Sequence, residues 1–389
     1  MNQIIKKKKI VFLLNDLDLG GVQKSIIAMV KYLTSLQQYE IDLIIWQEGG
    51  VLEGEIPATV NIIAKSYAPT LKDLKLEKTL LKKTKYLFQF LRYKWFEKVA
   101  EKPWNYYTKI EKRYDIAVSY VHRGYPLYFT IDKINATKKI LWFHHGIYVA
   151  TEKQKLIDEI FFNRYDTIVA ISDSNKKQIT GSFPALNTEV QVISNLIEVK
   201  EIEQRAGDII TDMSECPDEY NFVTVSRISE EKGIDLALAA AHKLKTKGIK
   251  FKWYFVGDGA LYEEMRKYTN DKHIFDVCIF LGGKINPYPY IRLADIYMQP
   301  SYVESQCLTV YEALVLKKLV VATNIPALDE ALQNGELGVL CEPNPDAMAD
   351  AIEKLISNKH HKELLQKALQ KYEVSNSVAY QKINDLFYI

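Results

Sequence analysis

The sequence predicts an α/β protein built from two Rossmann-like domains. Three observations carry this reading. Short β-branched runs alternate with helix-like stretches along the whole chain, the runs are apolar throughout, and the rhythm comes in two series. Strands that are apolar on both faces belong to parallel sheets covered by helices on both sides. Two series of them make two doubly wound domains. The length of 389 residues agrees, because it exceeds what one hydrophobic core usually serves.

In the first half the strand runs are KKIVFLL, EIDLIIW, DIAVSYV, KKILWF, DTIVAIS and VQVISN, with helices over 21–36 and 152–163. In the second half they are NFVTVS, KFKWYFVG, VCIFLG, DIYMQPS, LVVAT and GVLCEP, with helices over 235–247, 260–269, 308–318 and 345–357. The polar, proline-containing stretch 196–219 reads as the linker. The domains therefore run over 1–195 and 196–370.

Composition narrows the class. With 48% hydrophobic and 26% charged residues, 17 Gly and 12 Pro, the chain is neither disordered, collagenous nor a coiled coil. Cys216, Cys278, Cys307 and Cys341 lie far apart without paired spacing, which argues against a disulfide framework or a Cys-only zinc site. No apolar run approaches the ~18 residues of a membrane-crossing helix, and KKKKIVFLL is too short for a signal peptide. A cytoplasmic protein is expected. Residues 1–195 hold 29 Lys+Arg and 20 Asp+Glu, and residues 196–389 hold 22 and 29. The halves thus carry +9 and −7, the sum being the overall +2. This asymmetry suggests different tasks for the two domains.

Ligands of parallel sheets bind beyond the carboxyl ends of the strands. That rule selects the loops after Leu14, Phe143, Ser226, Val256, Leu281 and Ser301, and it disfavours Lys6–Lys9. After the first strand, Gly20 and Gly21 precede an amphipathic helix. They either admit a ligand to the backbone and helix amides or make a tight turn. No third glycine completes a dinucleotide fingerprint there or at VGDGAL, which counts against a dehydrogenase. His144 and His145 end a strand, where a histidine can exchange hydrogen bonds with a substrate or simply stabilise a turn. Adjacent histidines do not easily share a metal, and no carboxylate cluster accompanies them.

Arg227 and Lys232, five apart across a strand-to-helix turn, form a candidate diphosphate site with the helix amides, or else solvated charge. The strongest signal is PSYVESQCLTVYEAL. Glu304 ends a loop, the free amides of Cys307, Leu308 and Thr309 open the next helix, and Glu312 lies one turn inside it. An acid on each side of an anion-attracting helix start suits a ligand with a central diphosphate and hydroxyls at both ends. Alternatively Glu312 merely favours the helix dipole.

In this order the Gly-Gly loop, the strand-ending histidine, Arg with Lys five on, GDG after a strand, and Glu-seven-Glu resemble the family 4 retaining glycosyltransferases of GT-B fold. The resemblance covers the whole chain. It is strongest over 222–355, where SRISEEKGID, FVGDG, FLG and PSYVES occur in order; AISDSNKKQI and VISNLIEV also fit. The chain departs from many members in carrying Ser305, Gln306 and Cys307 where glycines lie between the glutamates. The resemblance implies two parallel-sheet domains facing across a cleft, with a closing helix at 371–389 crossing back to the first domain. It implies a nucleotide-diphosphate sugar donor, UDP-sugar favoured, with no metal or other cofactor. Gly20, Gly21 and the amides of Cys307–Thr309 would lie along the donor. Arg227 and Lys232 would neutralise the diphosphate, Glu312 bind the ribose and Glu304 hold the sugar. Gly282, Lys284 and Ile285 would contact the base. His144, or alternatively His145, would lie at the reacting centre. The acceptor implied is a glycan, lipid-linked.

The segment 71–113 carries 13 Lys+Arg against 5 Asp+Glu and nine aromatic residues. Its helical wheel has two apolar faces. Leu80, Leu81, Leu87, Phe88, Leu91, Trp95 and Val99 are expected to enter the core. Tyr86, Phe90 and Tyr93, among lysines, are expected to meet an anionic membrane at the inner face of the cell membrane; a core or dimer contact is the competing reading. Nucleic acid fits poorly, as no binding motif accompanies the basic stretch. Two other functions remain: a noncatalytic partner of another glycosyltransferase, and a sugar-nucleotide epimerase.

Overall fold

The computed structural model describes residues 7–65, 69–71, 75, 79–145, 148, 150–213 and 218–388. Cys216, Lys6 and parts of 71–113 fall outside them. The first sheet runs β1 (Lys8–Leu14), β2 (Tyr39–Ile45), β3 (Asn61–Ala64), β4 (Ile110–Ser119), β5 (Ile134–Phe143), β6 (Thr167–Ala170) and β7 (Val190–Val192). The second runs β8 (Tyr220–Val225), β9 (Phe251–Val256), β10 (Cys278–Gly282), β11 (Ile296–Gln299), β12 (Leu319–Thr323) and β13 (Val339–Cys341). Their spatial orders are 3-2-1-4-5-6-7 and 10-9-8-11-12-13, with every pairing parallel. The expected pair of parallel sheets is therefore present. β3, a four-residue edge strand, is the one strand that the sequence pattern did not reveal.

The helices are α1 (Gly21–Ser35), α2 (Leu80–Lys98), α3 (Tyr125–Lys133), α4 (Glu152–Phe162), α5 (Asp173–Ser182) and α6 (Val199–Arg205). They continue with α7 (Ile234–Thr246), α8 (Tyr262–Asp271), α9 (Tyr288–Leu293), α10 (Leu308–Val315) and α11 (Pro326–Ala331). The last are α12 (Pro345–Ser357), α13 (Lys359–Lys371) and α14 (Ser377–Phe387). Each sheet is covered on both faces, as its continuous apolar strands require. Ile10, Phe12 and Leu14 pack with Met29 and Leu33 on one face of the first sheet, while Val11 and Leu13 pack with Phe129 and Phe161 on the other.

Strand order reverses between β1 and β4 and again between β8 and β11. Such switch points open a crevice at the carboxyl ends of the strands. The loops after β1, β4, β8 and β11 therefore converge, one pair from each domain.

The chain crosses between domains twice. Leu196 belongs to the first core and Ile197 to the second. The supposed linker is folded where it is described: α6 sits within it, with Ile202 buried among second-domain residues. The return crossing leads into α14, whose Ala379, Ile383, Leu386 and Phe387 join the first core. Asn376 ties the two crossings together, accepting from the Ile197 amide (3.0 Å) and donating to its carbonyl (2.8 Å).

α2 forms as expected but turns the other way. Tyr93 is its one buried residue, with its hydroxyl 2.7 Å from that of Tyr125 and donating to Glu97 (3.1 Å). Tyr86 and Phe90, on the same side, are half-buried. Leu80, Leu81, Phe88, Leu91, Trp95 and Val99, the expected core face, are all more than half exposed. The decisive difference is the hydroxyl: a tyrosine packs inward where its polar tip finds partners, and Tyr125 and Glu97 supply them.

Phe387 is fully buried, with its ring 6.1 Å from that of Phe12 and edge-on to Tyr39. Phe387→Ala should therefore cost about 3–5 kcal/mol. Urea unfolding should register that loss, and hydrogen exchange should locate the loosened amides in β1 and β2 rather than in the second sheet.

Candidate functional site

The loops at the two switch points build one cleft. From the first domain come Gly20 and the amino end of α1, the turn Tyr120–Gly124 after β4, and His144–His145 after β5. From the second come Arg227–Gly233 after β8 and Pro300–Cys307 after β11. Gly233 makes this second group possible: its φ is +62°, and a Cβ there would lie 2.0 Å from the Pro300 carbonyl oxygen. Only glycine allows both the left-handed backbone and that approach.

The tight turn brings Lys232 to Glu304 at 2.7 Å, with both side chains largely buried (17% and 7% exposed). Glu304 Oε1 also accepts from the Ser301 hydroxyl (2.9 Å) and the Gln299 amide (3.3 Å). Thr309 and Tyr297 hydrogen-bond the carbonyl oxygen of the same Gln299. Burial opposes the Lys232 charge, but Glu304 outweighs it and holds the pKa above its ordinary value. Arg227, by contrast, is mostly exposed and only loosely paired with Glu231 (3.4 Å), so its fork stands free at the rim.

Glu312 lies deeper. Its side chain is 5% exposed, and Oε1 accepts from Lys24 Nζ of the first domain at 2.8 Å. The Tyr288 hydroxyl is 3.5 Å away, and Oε2 is buried with no hydrogen-bond partner. Lys24, Tyr288 and Glu312, with Leu308, Ile285, Arg205, Glu198 and Glu201, line a crevice between the domains. Ile285 is half exposed over this crevice. Lys284 is held by Asp212 at 2.7 Å, and Gly282 takes a φ of +73° beside it. Leu308 heads α10 opposite Gly21, whose added Cβ would touch it at 3.8 Å. Cys307 is buried as the residue before that helix, with its sulfur 3.3 Å from the Thr309 hydroxyl. Gly20 is extended, and a Cβ there would strike Gln23 Oε1 at 2.4 Å.

The two histidines part company. His144 is buried beside Tyr120 (ring centroids 4.7 Å apart), on the α1 side of the sheet. Its Nε2 has no partner, and burial, with His145 second, pushes its pKa down to about 3. His145 reaches solvent on the other side, 4.9 Å from His122. Desolvation in the cleft and then Arg123, Arg227 and Lys232 press its pKa down to about 4. Cations of both domains thus act electrostatically on His145, and burial and His145 alone act on His144. Sequence reasoning missed the His122–Arg123 turn altogether. The order-reversing position of β4 was the signal, and it appears only once the sheet is assembled.

Ser305 and Gln306, between the two glutamates, latch the domains together. The Ser305 carbonyl accepts from Ser172 (2.7 Å), and Gln306 accepts from the Asn195 amide (2.9 Å). Both partners lie in the AISDSN and VISN segments. Among the described residues no three metal-ligating side chains gather, and no helix is long and apolar enough to cross a membrane.

Residues 212–372 match the family model described as Glycosyl transferases group 1. An uncharacterized glycosyltransferase of Methanocaldococcus jannaschii is 24% identical over 216 residues, covering 53% of this chain and 51% of the relative. The N-acetyl-alpha-D-glucosaminyl L-malate synthase of Bacillus anthracis is 24% identical over 278 residues, covering 67% and 71%. The match thus spans about half the length of the first relative. A crystal structure of an S. aureus TarM mutant in complex with fondaparinux, alpha-GlcNAc-glycerol and UDP superposes with a TM-score of 0.70 at 16% identity, covering 98% of this chain and all of that one. The GT-B fold is therefore shared.

His122 is also buried, with neither ring nitrogen partnered, and its pKa is pushed well below the ordinary value by burial and then by His145. The folded protein thus keeps His122 and His144 neutral, whereas the unfolded chain protonates them near pH 6.5. Their contribution is complete above that pH and is lost as pH falls, by up to about 1.4 kcal/mol per unit per histidine. The unfolding free energy in urea should drop between pH 7 and pH 5, and His122→Asn should make the slope shallower by about one proton's worth.

Proposed function

We propose that this chain, which resembles the family 4 glycosyltransferases, moves a hexosyl or N-acetylhexosaminyl group from a nucleotide-diphosphate sugar to a glycan acceptor with retention of anomeric configuration. The observation that carries the reading is the pair of buried carboxylates, Glu304 and Glu312, at either end of the short segment that opens α10. A buried carboxylate with an unpartnered oxygen, as in Glu312, is an acceptor for ribose hydroxyls. Glu304, beside Lys232, takes hydroxyls of the transferred sugar. Ile285 and Tyr288 offer the base an apolar wall.

In the transfer, the bond from the anomeric carbon to the diphosphate oxygen breaks and a bond to the acceptor oxygen forms on the same face. The acceptor proton passes to the leaving diphosphate. Negative charge grows on that diphosphate, and Arg227, Lys232 and the α10 amides stabilise it, by roughly 3 kcal/mol per well-placed donor. The reading therefore includes no metal and no cofactor. His145 suits the reacting centre better than His144, because it faces these cations. With a pKa near 4 it is neutral at pH 7. A neutral imidazole can hydrogen-bond a sugar hydroxyl without adding positive charge beside a developing oxocarbenium ion.

The acceptor side rests on α2. Its outward face now comprises Leu81, Phe88, Leu91 and Trp95, flanked by exposed Lys82, Lys83, Lys85 and Lys98. Apolar side chains among lysines favour an anionic bilayer. Membrane docking at the inner face of the cell membrane and a lipid-linked acceptor belong to the same proposal.

Glu312→Gln should weaken UDP binding by about tenfold, the size expected for a lost charged hydrogen bond. Glu304→Gln should leave UDP affinity within about twofold and lower kcat instead. Calorimetry and turnover separate the two; unchanged UDP affinity in both variants would remove Glu312 from the ribose.

Vesicle sedimentation checks the membrane part. Phosphatidylglycerol vesicles should retain the protein at low salt and phosphatidylcholine vesicles should not. Changing Leu81, Phe88, Leu91 and Trp95 to Ser should abolish the fraction that resists salt. Changing Tyr86 and Phe90 to Ser should instead loosen α2 and lower Tm.

A further inference from the structure

Lys24 is the one side chain of the first domain that hydrogen-bonds Glu312 among the described residues. It stands on the first turn of α1, its amide donating to the Gly20 carbonyl (3.0 Å), and its ammonium lies 4.8 Å from the centre of the Tyr288 ring. Neither α1 nor α10 has a side-chain cap or an acid in its first turn. The positive ends of the two helices meet at Gly21 and Leu308. Two facing helix amino ends favour an anion between them, and the buried, unpartnered Oε2 of Glu312 independently marks the place as a binding site.

From this geometry we propose that Lys24 is a donor-contacting residue that changes partner: ribose hydroxyls take Glu312 from it, and its ammonium then pairs with the diphosphate lying between the two helix ends. The inference rests on the donor site proposed above. Its physical core is competition. The vicinal hydroxyls of a ribose take both oxygens of one carboxylate: Oε2 of Glu312 is unpartnered, and Oε1 has to be taken from Lys24, so a nucleoside bound through both hydroxyls displaces the ammonium. A displaced ammonium needs a new anion within reach, and α1 holds Lys24 within one turn, about 5.4 Å, of its own amino end. A nucleoside without phosphate displaces Lys24 and gives it nothing in return. A nucleoside diphosphate replaces the lost partner. Lys24 therefore discriminates for the diphosphate, and it also links donor binding to the contact between the domains.

The test compares uridine with UDP on the full chain, wild type against Lys24→Met, which keeps the stem and removes the charge. Calorimetry should show UDP binding weakened about tenfold in Lys24→Met while uridine binds at least as tightly as to wild type. Lys24→Arg should restore most of the UDP affinity. Equal loss for both ligands, or no change for either, overturns the proposal and leaves Lys24 a purely structural link. Because Lys24→Met exposes Glu312 to loss of its partner, Tm is measured alongside. If the variant is unfolded, the same comparison on Lys24→Gln decides in the same way. If wild type binds none of UDP, GDP or ADP, the donor site itself is wrong and the proposal falls with it; that outcome differs visibly from a wild type that binds UDP with no dependence on Lys24.

Discussion

A carboxylate buried at the bottom of a cleft must be paired, and two of them set the architecture here. Glu304 and Glu312 are separated by one loop and one helical turn, and each takes a lysine from a different direction: Lys232 from its own domain, Lys24 from the other. Removing one partner of such a buried pair costs about 3–5 kcal/mol, because the remaining charge is stranded. The pairs therefore hold the α10 loop in place. The demand propagates outward. Lys232 reaches Glu304 only because Gly233 turns against Pro300, and that turn fixes where Arg227 and the β8 loop come to rest.

Polar groups bridge the two domains at several points. Ser172 to Ser305, Asn195 to Gln306 and Lys24 to Glu312 bridge it directly. Beside them, Lys31 reaches Glu198 and Glu201, and Arg205 joins Glu201 to Glu55, around α6. Interfaces of this kind resemble transient ones rather than a continuous core. Each hydrogen bond given up to a ligand hydroxyl or phosphate is replaced by one of similar strength. The +9 and −7 charges of the two halves run the same way, as a general attraction that these specific pairs focus into register.

Much of this could be read from the sequence. Twelve of the thirteen strands among the described residues were legible because parallel strands are apolar on both faces, and β3 escaped because four residues at an edge carry too little pattern. Glu304, Glu312 and Lys232 were legible because they sit where strands end and helices begin. Their pairing was not: the sequence places Lys232 beside Arg227, but folding commits its charge to Glu304 and leaves Arg227 at the rim. Lys24 and the His122–Arg123 turn gave no local signal at all, since their roles depend on which strands become neighbours. The face of α2 was misread for a further reason. Both faces are apolar, and the choice rests on whether one hydroxyl, that of Tyr93, finds Tyr125, a residue 32 positions away.

That same contact sets where α2 stands relative to the cleft. Tyr125 opens α3 immediately after the turn that carries His122 and Arg123, and Gly124 between them takes a φ of +77° with its open side toward Asn15, in the loop after β1. Tyr93 thus fastens α2 to the segment that forms the first-domain wall of the cleft. A helix held there by Tyr93 keeps Leu81, Leu91 and Trp95 exposed, while Arg123 stands on the turn just before the fastening point. The basic surplus of the first domain then lies in two places: the exposed lysines of α2, and Arg123, which after desolvation is the next cause that presses the His145 pKa down.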